Sequence, residues 1–274
     1  MTRLAHDQLR QIDYGRMIQA LNSVHYAGET EFYGSAPLRS CEQVLLARIE
    51  PGARVLDLGC GAGRVTAPTA ARDATVVGLD INLPALSTGR AAHDSLPLVD
   101  GNMAMLPFAE GSFDRVWCLR FSFNALATEA ERRRTLAEMW RCCAPGGSVL
   151  IEAFNWHFHG RLGLLRLANL LDVASRRLRW HGQGRRGSPP LPARDILYLA
   201  NKARGAAPGY AHLTTVHELR HLAETAGLGE YAQLTNEEGV LSQTFSPAHP
   251  RHGEYATWLS LRKPTAPVLS GADR

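Results

Sequence analysis

An acid followed by three alternating glycines, Asp57-Leu58-Gly59-Cys60-Gly61-Ala62-Gly63, closes an apolar run that begins at Val55. Residues without a Cβ let a ligand lie directly against backbone N–H groups, and a helix starting near Arg64 aims its N-terminus at the same spot. Two readings stand: a cradle for a small ligand at a strand-to-helix turn, or a tight turn that holds nothing. The spacing differs from the G-x-G-x-x-G of a dinucleotide site. Asp57 would repel a pyrophosphate and favour a ligand carrying an ammonium. Asp80 ends the next apolar run, roughly 20 residues further on, where doubly wound nucleotide folds place the carboxylate that accepts from both ribose hydroxyls.

Those side chains must be held by strands that end on one edge. The apolar runs predict strands over 53–58, 74–80, 95–100, 113–118 and 148–154. Helical spacing predicts helices over 38–49, from Arg64 to about Ala71, over 83–93 and over 130–143, with looser helices within 5–24. Residues 25–34, aromatic and polar between glycines, read as a mobile loop. A helix capped by Thr214 or Thr215 and stopped by Gly227 precedes two last strands near 228–234 and 255–262. The tail from Pro264 reads as frayed.

Further motifs fall in order behind the glycine turn. The third strand feeds Gly101-Asn102-Met103-Ala104-Met105-Leu106-Pro107-Phe108, which runs on to Ser112-Phe113-Asp114. Pro145-Gly146-Gly147 opens the fifth strand, after Cys143. With Asp57–Gly63 and Asp80, these segments resemble the class I S-adenosylmethionine (SAM)-dependent methyltransferases, in particular the small-molecule branch. The resemblance implies an α/β fold: a doubly wound, seven-stranded, mostly parallel sheet of Rossmann-like type, with an N-terminal helical lid and a helical insertion after the fifth strand. It implies SAM as cofactor and S-adenosylhomocysteine (SAH) as product. Asp57 and the amides of Gly59, Cys60, Gly61 and Gly63 would take the methionine end, Asp80 the ribose, Ile81 one adenine face, and Asn102 with the Met103 amide the adenine edge. The backbone near Leu119 would hold the amino acid moiety. Asn102 stands where the family has an Asp, so the adenine contact loses its charge; Asp100 is the substitute if the loop shifts by two. Tyr33, with Tyr26, would either close over SAM or pin a loop to the core. The [DNS]-P-P-[YFW] corner of nucleic-acid amino-methyltransferases is missing after the fourth strand, where Leu119-Arg120-Phe121-Ser122 stands.

At 274 residues and 45% hydrophobic, the chain has enough for one domain: 1–52 a helical cap, 53–154 the SAM-binding core, 155–212 a substrate-recognition insertion and 213–274 the last helix and strands. No apolar run approaches the roughly 20 residues of a membrane span, and no signal-peptide core opens the chain, so a cytoplasmic monomer or homodimer is expected. Five cysteines without a C-x-x-C pair suit buried thiols in a reducing compartment better than disulfides or zinc. The formal charge is +4, yet the insertion alone holds ten Lys and Arg against Asp172 and Asp195. A basic lid suits an anionic substrate, a membrane surface or nucleic acid, or else keeps a leucine-rich helix over 162–177 soluble. Thin aromatic interleaving, with Trp180, Tyr198 and Tyr210 scattered, makes nucleic acid the minority reading. A basic tip at 182–190 and a short helix around 195–202 complete the expected insertion.

His157, in Asn155-Trp156-His157-Phe158-His159 at the end of the fifth strand, is the candidate general base or substrate anchor; the alternatives are a metal site with His159 or a strand cap. His217-Glu218-Leu219-Arg220-His221 is a literal H-E-x-x-H, with Glu237 or Glu238 as a conceivable third ligand. The stronger reading makes it an amphipathic helix with Leu219, Leu222 and Ala223 inward, so no metal is expected. The expected activity is methyl transfer from SAM to an N or O nucleophile of a small molecule, with C as a further option, by in-line displacement in a secondary-metabolic setting. The rivals are an RNA methyltransferase using the basic insertion and a SAM-binding protein without transferase chemistry.

Overall fold

The computed structural model describes residues 3–158, 171, 174, 192, 194–198, 208–242 and 255–265, with side chains from Tyr14 onward. The expected helix over 162–177 (apart from Leu171 and Ala174, both helical), the basic tip, His159, Trp180 and most of the tail lie outside the described residues.

The chain runs α1 (Arg3–Gly28), α2 (Thr30–Gly34), α3 (Ser40–Ala47), β1 (Arg54–Leu58), α4 (Thr66–Ala70), β2 (Thr75–Asp80), α5 (Leu83–Ala92), β3 (Leu98–Asp100), β4 (Phe113–Cys118), α6 (Glu129–Cys142) and β5 (Cys143–Phe154). It continues as β6 (Asp195–Tyr198), β7 (Gly209–His212), α7 (Val216–Thr225), β8 (Ala232–Thr235), α8 (Glu237–Ser242) and β9 (Ala256–Arg262). Seven strands form one sheet in the order β3-β2-β1-β4-β5-β9-β8. The first five are parallel, and β9 lies antiparallel between β5 and β8. The expected seven-stranded, mostly parallel, doubly wound sheet is therefore present.

Burial on both faces explains why β1 reads as a continuous apolar run. Leu56 and Leu58 pack on one face with Val116, Ile151, Leu136 and Met139 of α6, and Leu219 of α7. Val55 packs on the other with Val76, Trp117, Trp258 and Cys41 of α3. All five cysteines are buried free thiols. The chain winds from β1 outward to β2 and β3, then returns to β4 on the other side. That reversal leaves a crevice beyond the carboxyl ends of β1 and β4, the place where open α/β sheets bind ligands.

Helix starts follow local chemistry. Asn82 caps α5, Thr128 and Glu131 form a capping box on α6, and the Thr215 side chain accepts from the Glu218 amide at the start of α7.

Three expectations are corrected. Residues 25–34 are not a loop: α1 continues to Gly28 and α2 follows at once, because no Gly or Pro falls within 16–27 and the buried His25 packs inward. The segment around 195–202 is not helical where it is described. Asp195–Tyr198 is a strand paired antiparallel with Gly209–His212, a non-local partnership that outweighs local spacing in so short a run. β5 begins at Cys143, so Pro145–Gly147 lies within its range, with a register shift between Phe113 and Arg115 on β4. Among the described residues, no helix is long and apolar enough to cross a membrane.

Candidate active site

The three glycines after β1 all have positive φ: +72° at Gly59, +56° at Gly61 and +85° at Gly63. They do different work. A Cβ on Gly59 would overlap Ser122, and one on Gly63 would come within 2.8 Å of Leu96. A Cβ on Gly61 would meet nothing within 4 Å. Gly61 is thus the point where the turn stands open for a ligand, while its two neighbours close-pack the turn against the core.

Asp80 locks this turn. Its Oδ2 accepts from the Gly61 amide and its Oδ1 from the Asn82 amide, both at 2.8 Å. Each oxygen keeps lone-pair capacity for a diol. Burial raises the Asp80 pKa, opposed by those amides. Beside it Ile81 is 41% exposed in the wall of a cavity, an apolar surface shaped to cover an aromatic base. Asn102 and Met103 line the same cavity, whereas Asp100 is not among its lining residues. The Asn102 Oδ1 accepts from the Ala104 amide at 2.8 Å, which fixes the loop and leaves its NH₂ and a second lone pair.

Asp57 is 3% exposed and accepts from Thr66 Oγ1 at 2.7 Å. Burial pushes its carboxyl up to about 7, with the Thr66 bond and Arg64 opposing. It lines the cavity with Cys60 and Leu119. Tyr33, Asp57, Gly59, Cys60, Gly61, Asp80, Ile81, Asn102, Met103 and Leu119 all line it; of the glycines, Gly63 does not.

The cavity encloses about 1110 Å³ and runs on from the glycine turn into a chamber walled by Tyr26, Phe154, Trp156, Phe158, Tyr198 and Tyr255. Phe121 stacks on Phe154 at 3.7 Å, and Tyr255 meets both edge-on at about 5 Å. The Tyr26 and Tyr198 hydroxyls are 2.9 Å apart. Burial raises the pKa of both phenols, so they stay neutral near pH 7. The roof comes from two distant stretches: α1 and the β6–β7 pair. Tyr14 donates to Asp195 at 2.6 Å, the Tyr210 amide donates to Asn22 Oδ1 at 2.8 Å, and a Cβ on Gly209 would fall 2.6 Å from the His25 ring.

His157 is not among the cavity's lining residues, although Asn155, Trp156 and Phe158 are. Its amide donates to Asn155 Oδ1 at 3.0 Å. In the H-E-x-x-H segment, His217 and His221 do share a face of α7, with ring centroids 6.3 Å apart. Glu218, however, is committed elsewhere. It meets His212 Nε2 at 2.8 Å, pairs with Arg132 at 3.4 Å and pairs with Arg194, while His212 Nδ1 meets Asp195 at 2.6 Å. Among the described residues, no group of His, Cys, Asp and Glu could hold a metal.

Sequence reasoning missed the polar floor below Phe121. Glu152, fully buried on β5, accepts from Arg39 at 2.5 Å and from the Arg120 amide at 2.8 Å. The available signal was a lone acid in the apolar run Leu150-Ile151-Glu152-Ala153-Phe154.

The residues present fit SAM: an open glycine facing a cavity, a buried diol-accepting carboxylate, and an exposed apolar side chain beside it. Comparison with known proteins agrees. Residues 56–151 match the family described as a methyltransferase domain. Over 105 residues the chain is 37% identical to the demethylmenaquinone methyltransferase of Renibacterium salmoninarum, covering 38% of this chain and 43% of that one. Over 133 residues it is 35% identical to the trans-aconitate 2-methyltransferase of Deinococcus radiodurans, covering 48% of each. The matched stretch thus spans about half the length of these curated relatives. Among solved structures, the CcbJ methyltransferase of Streptomyces caelestis superposes with a TM-score of 0.58 at 17% identity, covering 89% of this chain and 98% of that one. A SAM-dependent methyltransferase of Methanosarcina mazei gives 0.57 at 19% identity, covering 84% and 100%. Residues 56–151 are therefore similar to a methyltransferase domain, and the fold is the one these solved methyltransferases share.

Proposed function

We propose that this protein transfers a methyl group from SAM to an N, O or C nucleophile of a small, largely apolar acceptor held in the aromatic chamber. The observation that carries this reading is the continuity of one cavity, from Gly61 and Asp80 at one end to Tyr26, Phe158 and Tyr198 at the other. When bound, SAM supplies a methyl group already activated by a sulfonium. The chain's task is then to hold a nucleophile in line at about 3 to 3.5 Å and to exclude water.

Its residues divide the work. Asp80 and Gly61 anchor the nucleoside, Asp57 and the turn amides hold the methionyl side, and stacked Phe121 and Phe154 make a rigid apolar wall. Tyr26 and Tyr198 orient a polar atom of the acceptor by hydrogen bonding and, being neutral, do not act as bases. This reading does without His157 as a base, because positioning suffices for an activated methyl group. It takes 1–274 as a single domain with 155–212 as the acceptor-recognising insertion, supported by Ile196, Tyr198 and Tyr210 of that insertion in the cavity wall. Relatives named for demethylmenaquinone and trans-aconitate support the small size of the acceptor and leave its polarity to the chamber's own lining.

The test is Asp80→Ala. Removing a carboxylate that accepts two charge-assisted hydrogen bonds costs about 3 kcal/mol of binding or more, over a hundredfold in Kd. Titration calorimetry with SAH measures it, with circular dichroism as the fold control. Unchanged affinity in a folded variant rejects the donor site.

A further inference from the structure

Among the described residues, three arginines line the cavity: Arg39, Arg64 and Arg120. Two are already matched. Arg39 is held by Glu152, and Arg64 by Glu42, whose Oε2 lies 2.8 Å from Nη1. The guanidinium of the half-buried Arg120 has no hydrogen bond or ion pair among the described residues. Burial lowers its pKa, and the neighbouring charges of Arg64 and Arg39 lower it further.

The backbone holds it there at a cost. Arg120 and Phe121 take φ of +55° and +65° in succession, neither being glycine. Such conformations cost on the order of 1 kcal/mol each and persist where the surroundings over-determine them. Here the surroundings are the Arg120 amide on Glu152, the Phe121 ring on Phe154, and the Arg39 guanidinium 5.5 Å over the Phe121 ring. Tyr33 and Tyr255, on two other elements of the cavity wall, lie within electrostatic reach of the Arg120 charge. An unmatched cation is thus fixed at the end of β4, between the glycine turn and the aromatic chamber.

We infer that Arg120 is the cavity's carboxylate receptor, binding the carboxylate of the donor's methionyl end or that of an acidic acceptor. The guanidinium fork matches a planar carboxylate through two parallel hydrogen bonds. The local charge favours a monoanion: three arginines face two glutamates, Glu42 and Glu152, so one negative charge completes the match. A more highly charged anion would be opposed by the two glutamates. This assignment rests on the donor-site reading above.

Calorimetric titrations of the full-length chain test it with three probes: SAH; 5′-methylthioadenosine, which keeps the nucleoside and thioether but lacks the amino acid; and benzoate added to the SAH-loaded protein. If the donor supplies the carboxylate, Arg120→Met weakens SAH tenfold or more and leaves 5′-methylthioadenosine within about twofold. Arg120→Lys, with charge but no fork, then falls between. If the acceptor supplies it, both nucleosides bind Arg120→Met as they bind wild type, and benzoate binds only the wild type. Equal binding of all three probes by Arg120→Met and wild type overturns the proposal. So does an equal loss of SAH and 5′-methylthioadenosine, which marks a collapsed turn rather than a lost carboxylate contact. A wild-type protein that binds neither nucleoside rejects the donor site itself and this assignment with it; binding of both nucleosides, with neither nucleoside nor benzoate affected by Arg120→Met, rejects this assignment alone.

Discussion

Replacing Asp57 by Asn should make the protein more stable, by an amount that grows with pH. Asp57 is almost wholly buried, with Thr66 its hydrogen-bond donor, and burial lifts its pKa from 3.8 to about 7. Between those values the folded chain keeps a proton that the unfolded chain has released. Stability therefore falls as pH rises through this window: the penalty is absent below about pH 4, accumulates toward 7 and is complete above it. Each pH unit of the window is worth at most about 1.36 kcal/mol, so the ceiling is about 4 kcal/mol. Asn has the same shape, accepts from Thr66 and does not titrate. Urea unfolding of both proteins from pH 5 to 8 reads the difference, in which titrating groups not coupled to Asp57 cancel. The gap should widen by about 1 kcal/mol per pH unit up to pH 7 and then level off. Parallel profiles would show that the folded carboxyl ionises normally and that the turn does not bury it as described.

The glycine turn predicts a split between two similar substitutions. Gly59→Ala, whose methyl would overlap Ser122, should lower the melting temperature by several degrees. Gly61→Ala, with open space around its methyl, should cost only the roughly 1–2 kcal/mol of a left-handed alanine yet abolish SAH binding. Thermal melting and calorimetry together separate the two. In the H-E-x-x-H helix, His217→Ala and His221→Ala, both exposed, should change stability by less than about 0.5 kcal/mol, and EDTA should leave the melting temperature unchanged. Glu218→Ala, which strands His212 and Arg132, should cost roughly 3 kcal/mol in urea unfolding.

What could be read from the sequence was whatever depends on neighbours close along the chain. The glycine turn, Asp80 and the strands leading into them are local patterns, and the parallel sheet follows from their alternation with helices. The helical reading of Val216–Thr225 over a metal site rested on the same local periodicity, and Glu218 is indeed turned toward His212 and the arginines. What escaped depends on distant partners. Asp195–Tyr198 is a strand because Gly209–His212 lies alongside it, and four residues carry too little pattern to say so. The polar floor joins Arg39, Arg120 and Glu152 from three separate elements, and no spacing rule links them. Tyr26 and Tyr33 sat in a stretch read as a loop; on α1 and α2 they become fixed walls of the cavity.

The roof of the chamber has a practical consequence for anyone redesigning the proposed acceptor site. Because Tyr14 grips Asp195 and Asn22 grips the Tyr210 backbone, the N-terminal helix and the insertion hairpin behave as the two halves of a clasp. Transplanting residues 155–212 alone into a related protein would bring one half without its mate, leaving Asp195 without its Tyr14 donor and the Tyr210 amide without its Asn22 acceptor. Chimeras should exchange both stretches together, and libraries that vary the hairpin should vary positions 14, 22 and 25 in the same round.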